Sequence, residues 1–331
     1  MTKEELRNLV GMDLRMRSAA ESDKYRMLMR EHSLDPNSYY QKMEMSSPYV
    51  NTHRDITYHY EAMSLHSHAF YEIVCCRSSC GAEYLVGPHR YSLQKGDIIL
   101  IRPGVSHCAI LPNPLSIPYE RDIIWLSESF LNTFLKILDL PPVSYETELP
   151  TYLLRTADTP WEFLWDMIHS GVQEEAKKQD AWQTNVIGNT LQVLSYLRRA
   201  YFSQTAQPLK AEKPDLLDGI IAYIETNYSE KLTMTELSKL FYISERTISS
   251  LFRNRLGVTF YQFLTRRRLI AAKDMILKRI PLEAVGEQTG FGDYSAFYRA
   301  FKSEFGISPR DFKKLEEQKL ETAFSAVSNE R

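Results

Sequence analysis

The chain has 331 residues, 44% of them hydrophobic and 25% charged, with a formal net charge of −2. That balance excludes a disordered or fibrous chain and is enough for two domains with separate cores. No run approaches the roughly 20 apolar residues of a bilayer-spanning helix, and the charged N-terminus has no signal-peptide core, so the expected setting is cytoplasmic, without membrane contact.

Residues 1–50 read as a polar helical extension with a loop at Leu34-Asp35-Pro36-Asn37, and no chemistry attaches to them. Over residues 51–126 the pattern changes to short strands, ITYHYEAM, FYEIVCCR, AEYLVG, HRYSLQ, DIILIRP, HCAIL and RDIIWLS, punctuated by Gly, Pro and Ser. Such spacing predicts a small antiparallel barrel or sandwich. Cys75, Cys76, Cys80 and Cys108 fall within it and read as buried reduced thiols rather than a zinc or redox site.

Two signatures sharpen this region. His66, His68 and Glu72 have the spacing His-x-His-x-x-x-Glu, and Gly96-Asp97 leads to Pro103-Gly104-Val105-Ser106-His107. Together they resemble the double motif of cupins. In metal-binding cupins the matching positions supply three imidazoles and a carboxylate, a set suited to manganese, iron, nickel or zinc. The same groups can instead hydrogen-bond the hydroxyls of a ligand or hold strands together. A strand places His66 and His68 on one face, so the expected site is a barrel mouth with His66, His68, Tyr71, Glu72 and His107 as ligand-binding residues. Tyr58, Tyr60, Phe70, Tyr84, Tyr91 and Trp125 are further aromatics available to it. The favoured reading carries no metal, cofactor or catalysis.

Residues 127–202 read as helical segments at 127–138, 159–178 and 182–202, and in the last Ile187, Leu191, Leu194 and Tyr201 recur at helical spacing, widened by Val186, Val193 and Leu197. This helix can pair with a second subunit or lie on the barrel. The polar stretch SQTAQPLKAEKP, residues 203–214, reads as a linker.

Residues 215–316 hold one helix-turn-helix pattern written twice. A shift of 49 positions lays Ser244 on Asp293, Phe252 on Phe301, Arg253 on Lys302, Gly257 on Gly306 and Val258 on Ile307. Thr233 and Glu236 have capping-box spacing. Ser244 and Asp293 are expected N-caps. Ile248, Leu251, Phe252 and Leu256 form one buried stripe, and Phe297, Ala300, Phe301 and Phe305 the other. The opposite faces carry Arg246, Ser249, Ser250 and Arg253 in the first unit, and Tyr294, Ser295, Tyr298, Arg299 and Lys302 in the second. Residues 215–314 contain 16 Lys and Arg against 12 Asp and Glu, whereas the rest of the chain carries 24 against 30. The basic excess is thus confined to one end, as phosphate contact requires. Residues 317–331 read as a tail.

Leu232, Glu236, Leu237, Ser244, Leu251-Phe252-Arg253, Gly257, Arg268-Leu269, Ala272, Gly290-Phe291, Asp293, Phe301-Lys302, Gly306 and Ser308-Pro309 together resemble the DNA-binding domain of AraC-type (AraC/XylS) transcriptional regulators. The His-x-His-x-x-Tyr-Glu and Gly-Asp…Pro-Gly-x-x-His motifs resemble the sensor half of the same proteins. The resemblance implies a multidomain α+β chain: an N-terminal cupin-like β-barrel with flanking helices, then an all-α domain of two helix-turn-helix motifs joined by a long helix. It also implies a homodimer on double-stranded promoter DNA, an effector that is preferably a sugar, and RNA polymerase as a partner if the protein activates. Base contacts are expected from Arg246, Ser249, Ser250, Tyr294, Ser295, Tyr298 and Arg299, and phosphate contacts from Arg253 and Lys302. Ser250 departs from the Arg or Lys that similar regulators often carry there. Two alternatives stay open: a metal-binding cupin enzyme fused to a DNA-binding domain, and a ligand-independent regulator.

Overall fold

A computed structural model describes residues 45–60, 65–140, 151–203 and 215–315. The N-terminal extension to residue 44, most of the linker and the C-terminal tail lie outside the described residues. Among those described, eight strands precede all but one of nine helices.

The strands are β1 (Val50–Thr57), β2 (Phe70–Cys76), β3 (Glu83–Val86), β4 (His89–Ser92), β5 (Asp97–Ile101), β6 (His107–Ile110), β7 (Tyr119–Ser127) and β8 (Leu153–Arg155). They form two antiparallel sheets, ordered β1-β7-β2-β5-β8 and β4-β3-β6. Six of the seven expected strands are present. The first is displaced to residues 50–57, because its partner β7 runs in register from Val50↔Leu126 to Thr57↔Tyr119 and ends there. β8 has no counterpart in the sequence reading, since three residues are too few to show alternation.

Of the barrel or sandwich expected, the structure takes the sandwich form, two facing sheets, and the cupin-like barrel is not closed. The hydrogen-bond ladder does not pass from one sheet to the other among the described residues, and the strand-like bridge outside them joins His66 to His107 at the free edge of β6. Between the sheets, Val74, Cys76, Ile99 and Tyr119 of the larger meet Tyr84, Val86, Tyr91 and Ala109 of the smaller. The other face of the larger sheet carries Tyr71, Ile73, Cys75, Ile98 and Leu100 beneath helices. Covered on both faces, β2 is buried along its whole length, which is why FYEIVCC reads as a continuous apolar run rather than as alternation.

The covering helices are α1 (Glu128–Ile137), α2 (Phe163–Lys177) and α3 (Trp182–Phe202). α3 turns Val186, Val193, Leu194, Leu197 and Tyr201 onto the sheet, so of the two arrangements open to it the helix takes the one on its own sheet. α2 is pinned by charge as well. Asp122, wholly buried on β7, accepts from Arg54 Nε at 2.8 Å and lies 3.0 Å from His169 Nδ1 of α2. That is the pairing a buried carboxylate requires.

The C-terminal helices are α4 (Leu216–Asn227), α5 (Met234–Leu240), α6 (Glu245–Leu256), α7 (Phe260–Leu277), α8 (Leu282–Gln288) and α9 (Tyr294–Phe305). The predicted caps are present. Thr233 and Glu236 close a capping box on α5, Ser244 caps α6 through Thr247 N, and Asp293 caps α9 through Ala296 N. Gly257 and Gly306 end α6 and α9 with φ of +66° and +76°, the left-handed geometry that stops a helix at low cost with Gly. Phe252 and Phe301, equivalent under the 49-residue shift, are both fully buried. Two cores result. α4, α5, α6 and the first half of α7 surround Phe252, while the second half of α7, α8 and α9 surround Phe297 and Phe301.

Candidate effector site and candidate nucleic-acid interface

Residues 65–68 run antiparallel to the start of β6, with His66 N donating to His107 O at 3.1 Å and His107 N to His66 O at 2.9 Å. This brings three imidazoles together, their ring centroids 4.3 to 5.1 Å apart. Glu72 joins them from β2. One ligating atom from each of His66, His68, Glu72 and His107 lies within 4.8 Å of every other. His68, Glu72 and His107 are buried, at 5%, 5% and 0% exposure.

The groups around the cluster set its chemistry. Trp125 stands opposite Glu72 across β2 and β7, and its indole N–H donates to Glu72 Oε1 at 2.8 Å. His107 Nδ1 lies 2.9 Å from the Val105 carbonyl. A carbonyl only accepts, so Nδ1 carries a proton directed at it. Burial holds His68 well below the ordinary imidazole range. Burial would raise the Glu72 carboxyl, but the close approach of His107 and the fields of the imidazoles prevail and hold it well below the carboxylate range. Glu72 Oε2 is 2.9 Å from His107 Nε2 and 3.8 Å from His68 Nε2. Yet these atoms, with His68 Nδ1, are buried without a hydrogen bond. Buried polar atoms left this way are costly, and three imidazoles with one carboxylate are a donor set for a first-row transition metal. The residues therefore fit an ion held by His66, His68, Glu72 and His107.

Of the five expected ligand-binding residues, four converge. Tyr71 does not: it points from the opposite face of β2 into the core under α2 and α3, because successive strand residues face opposite ways. Tyr58 and Tyr60 are exposed rather than near the cluster. Trp125, counted only among the available aromatics, is the direct partner of Glu72. The cysteines are all free and buried; burial pushes the Cys76 and Cys108 thiols up to about 12, so they stay protonated at neutral pH.

The second site lies on α6 and α9. Their inner stripes are buried at Ile248, Phe252 and Leu256, and at Phe297 and Phe301. Arg246, Ser250, Arg253, Tyr294, Ser295, Arg299 and Lys302 are exposed, and Ser249 and Tyr298 half-buried. Ser250 accepts a hydrogen bond from Asn254 Nδ2 at 2.9 Å. Arg268 points elsewhere: it donates to the carbonyls of Tyr228 and Glu230, a packing role. α8 and α9 cross closely at Gly286, where a Cβ would lie 3.3 Å from Phe297 Cβ.

Residues 237–315 match the family model described as a helix-turn-helix domain. The uncharacterized HTH-type transcriptional regulator YfiF of Bacillus subtilis (strain 168) is 26% identical over 296 residues, covering 87% of this chain and 91% of that protein. The HTH-type transcriptional activator RhaS of Yersinia pestis (strain Pestoides F) is 26% identical over 263 residues, 75% of this chain and 88% of its own length. The C-terminal part of the chain thus carries a helix-turn-helix domain, and the chain as a whole is similar to HTH-type transcriptional regulators. Among solved structures, ToxT from Vibrio cholerae O395 bound to (E)-4-(8-methylnaphthalen-1-yl)but-3-enoic acid aligns over 81% of this chain and 99% of its own, at 14% identity and a TM-score of 0.33. No helix of the described residues is long and apolar enough to cross a membrane.

Proposed function

We propose that this regulator reads promoter DNA with the outer faces of α6 and α9 and answers to a small effector held by His66, His68, Glu72 and His107. Arg246, Ser249 and Ser250 of the first unit, and Tyr294, Ser295, Tyr298 and Arg299 of the second, contact bases. Arg253 and Lys302 contact phosphates, which position a protein without reading sequence. The effector part rests on the four ligating atoms within 4.8 Å of one another, three of the four residues buried. A gap that small takes a single atom. It favours a divalent first-row cation over the sugar that the resemblance implies, because a pyranose needs several separated polar partners beside an apolar platform. A bound cation there would supply positive charge that draws in the three imidazoles and the carboxylate; its role in this reading is to be sensed, not to catalyse. Self-association is part of the proposal, but through a surface other than the apolar stripe of α3, which the chain's own sheet occupies.

The test is equilibrium binding of zinc, manganese and nickel, and separately of a sugar panel, to the full chain, read by calorimetry and by metal content after gel filtration. One ion per chain, lost in Glu72→Gln and His107→Ala, supports the cation reading. A sugar that binds with the same sensitivity to those variants, and no ion, replaces it with the carbohydrate reading. Binding of neither leaves a ligand-independent regulator.

A further inference from the structure

The cluster lies directly against the DNA-binding unit. Leu65 and Cys108, the residues next to His66 and His107, belong to the same apolar core as Leu217, Ile220, Ile221 and Ile224 of α4. Strand alternation explains this. His107 points inward between the sheets, so its neighbours Ser106 and Cys108 point out of the small sheet. Ser106, only 3% exposed, donates from Oγ to Glu225 Oε1 of α4 at 2.8 Å. The other carboxylate oxygen, Glu225 Oε2, accepts from Arg267 Nε of α7 at 2.5 Å, and the Arg267 guanidinium rests 4.1 Å above the Tyr228 ring. Residues 105–107 therefore hold three things at once: an imidazole of the cluster, the Val105 carbonyl that accepts from its Nδ1, and the hydroxyl that grips the carboxylate between α4 and α7.

We propose that the Ser106–Glu225–Arg267 chain transmits the state of the four-residue cluster to the DNA-binding unit, with Ser106 as its positioning residue. The proposal rests on the effector reading above for what changes the cluster, but not for the connection itself. When an occupant draws His107 Nε2 toward itself, residue 107 moves with its strand, and Ser106 carries the displacement to Glu225. Glu225 lies on α4, in the first helix-turn-helix core. Arg267 lies on α7, whose second half forms the core of the other unit. One carboxylate thus touches both elements that set the spacing of α6 and α9, and that spacing must match successive major grooves, about 34 Å apart. Such control needs only that the occupant bind the two arrangements with different affinity.

The experiment is hydrogen exchange by mass spectrometry on the full chain, in the presence and absence of zinc as probe, for wild type, Ser106→Ala, Ser106→Thr and His107→Asn. In wild type, zinc is expected to change exchange at least threefold in peptides covering Leu216–Asn227 and Phe260–Leu277 as well as in β2 and β6. Ser106→Ala should bind zinc with unchanged stoichiometry and keep the change in β2 and β6 but lose it in α4 and α7. Ser106→Thr, which keeps a hydroxyl, should restore it. An undiminished response of α4 and α7 in Ser106→Ala overturns the proposal. If zinc, manganese and nickel leave wild type unaffected, the cation reading fails and the connection is read from His107→Asn alone. That change must then alter exchange in α4 when residue 106 is Ser and not when it is Ala; an equal effect in both backgrounds overturns the connection.

Discussion

The two helix-turn-helix units are copies in sequence and differ in what holds them. The first shares its core with the sheet region, through Leu65, Leu85 and Cys108. It is also clamped by charge. Arg90 of β4 donates through Nε to Asp218 at 2.9 Å and through Nη2 to Asp215 at 2.7 Å, the two residues of the α4 capping box. Arg255, near the end of α6, reaches Asp215 at 3.2 Å. The second unit has a core of its own around Phe297, Phe301 and Phe312, with no residue from the sheets among those described. What differs is therefore access. Among the described residues, the sheets contact the first unit through α4 and α6, while the core of the second unit takes no residue from them.

That contrast can be broken by substitution. The largest effect is expected from Phe301→Ala, which removes a fully buried ring and should cost about 3–5 kcal/mol. Chemical denaturation should then show the second unit melting first, while protection in the sheets persists; one transition shared by all probes would mean that the cores are not separate. Next, Arg90→Ala leaves the Asp218 carboxylate buried without its cation and should cost on the order of 3 kcal/mol, seen as faster proteolysis after residue 203 with the second unit unaffected. Arg299→Ala should lower discrimination between cognate and altered DNA by about 1–3 kcal/mol, whereas Lys302→Ala should weaken all sites alike and reduce the salt slope by about one. Equal loss of specificity from both, measured by fluorescence anisotropy across salt, would remove the division between base and phosphate contacts. Thr233→Ala, which opens the α5 capping box, should cost about 1 kcal/mol and lower the denaturation midpoint of the first unit only. The smallest effect is that of acid. Burial opposes ionisation of Asp215, but the Asp218 N–H and the guanidinium groups of Arg90 and Arg255 prevail and lower its pKa. A carboxyl lowered in the folded state contributes stability above its unfolded pKa of about 3.9, lost as the pH falls further. Docking of the first unit, followed by proteolysis, should therefore hold at neutral pH and loosen only near pH 4 and below.

The legibility of each region follows the range of its interactions. The strands that alternate or run continuously apolar were readable, whereas β8 and the displaced β1 depend on partners far along the chain. Within the candidate site, His66, His68 and Glu72 are marked by their spacing and His107 by a second motif, so four of the residues could be named in advance. Tyr71 was misplaced because the motif marks it but the pleat turns it the other way. Trp125 carries no local signal for its bond to Glu72, which the β2–β7 register alone creates.

By itself the sequence determined the paired helix-turn-helix units, since caps at Thr233, Ser244 and Asp293, stripes at helical spacing and stops at Gly257 and Gly306 are made by residues within a few positions of one another. The tertiary structure alone decided that the barrel is two separate sheets, that α3 lies on its own sheet, and that the N-terminal region grips the first unit. The physical reason is separation. Arg90 and Asp218 are 128 residues apart and Ser106 and Glu225 are 119 apart. No local pattern records a charge pair that forms only when two independently folded surfaces meet.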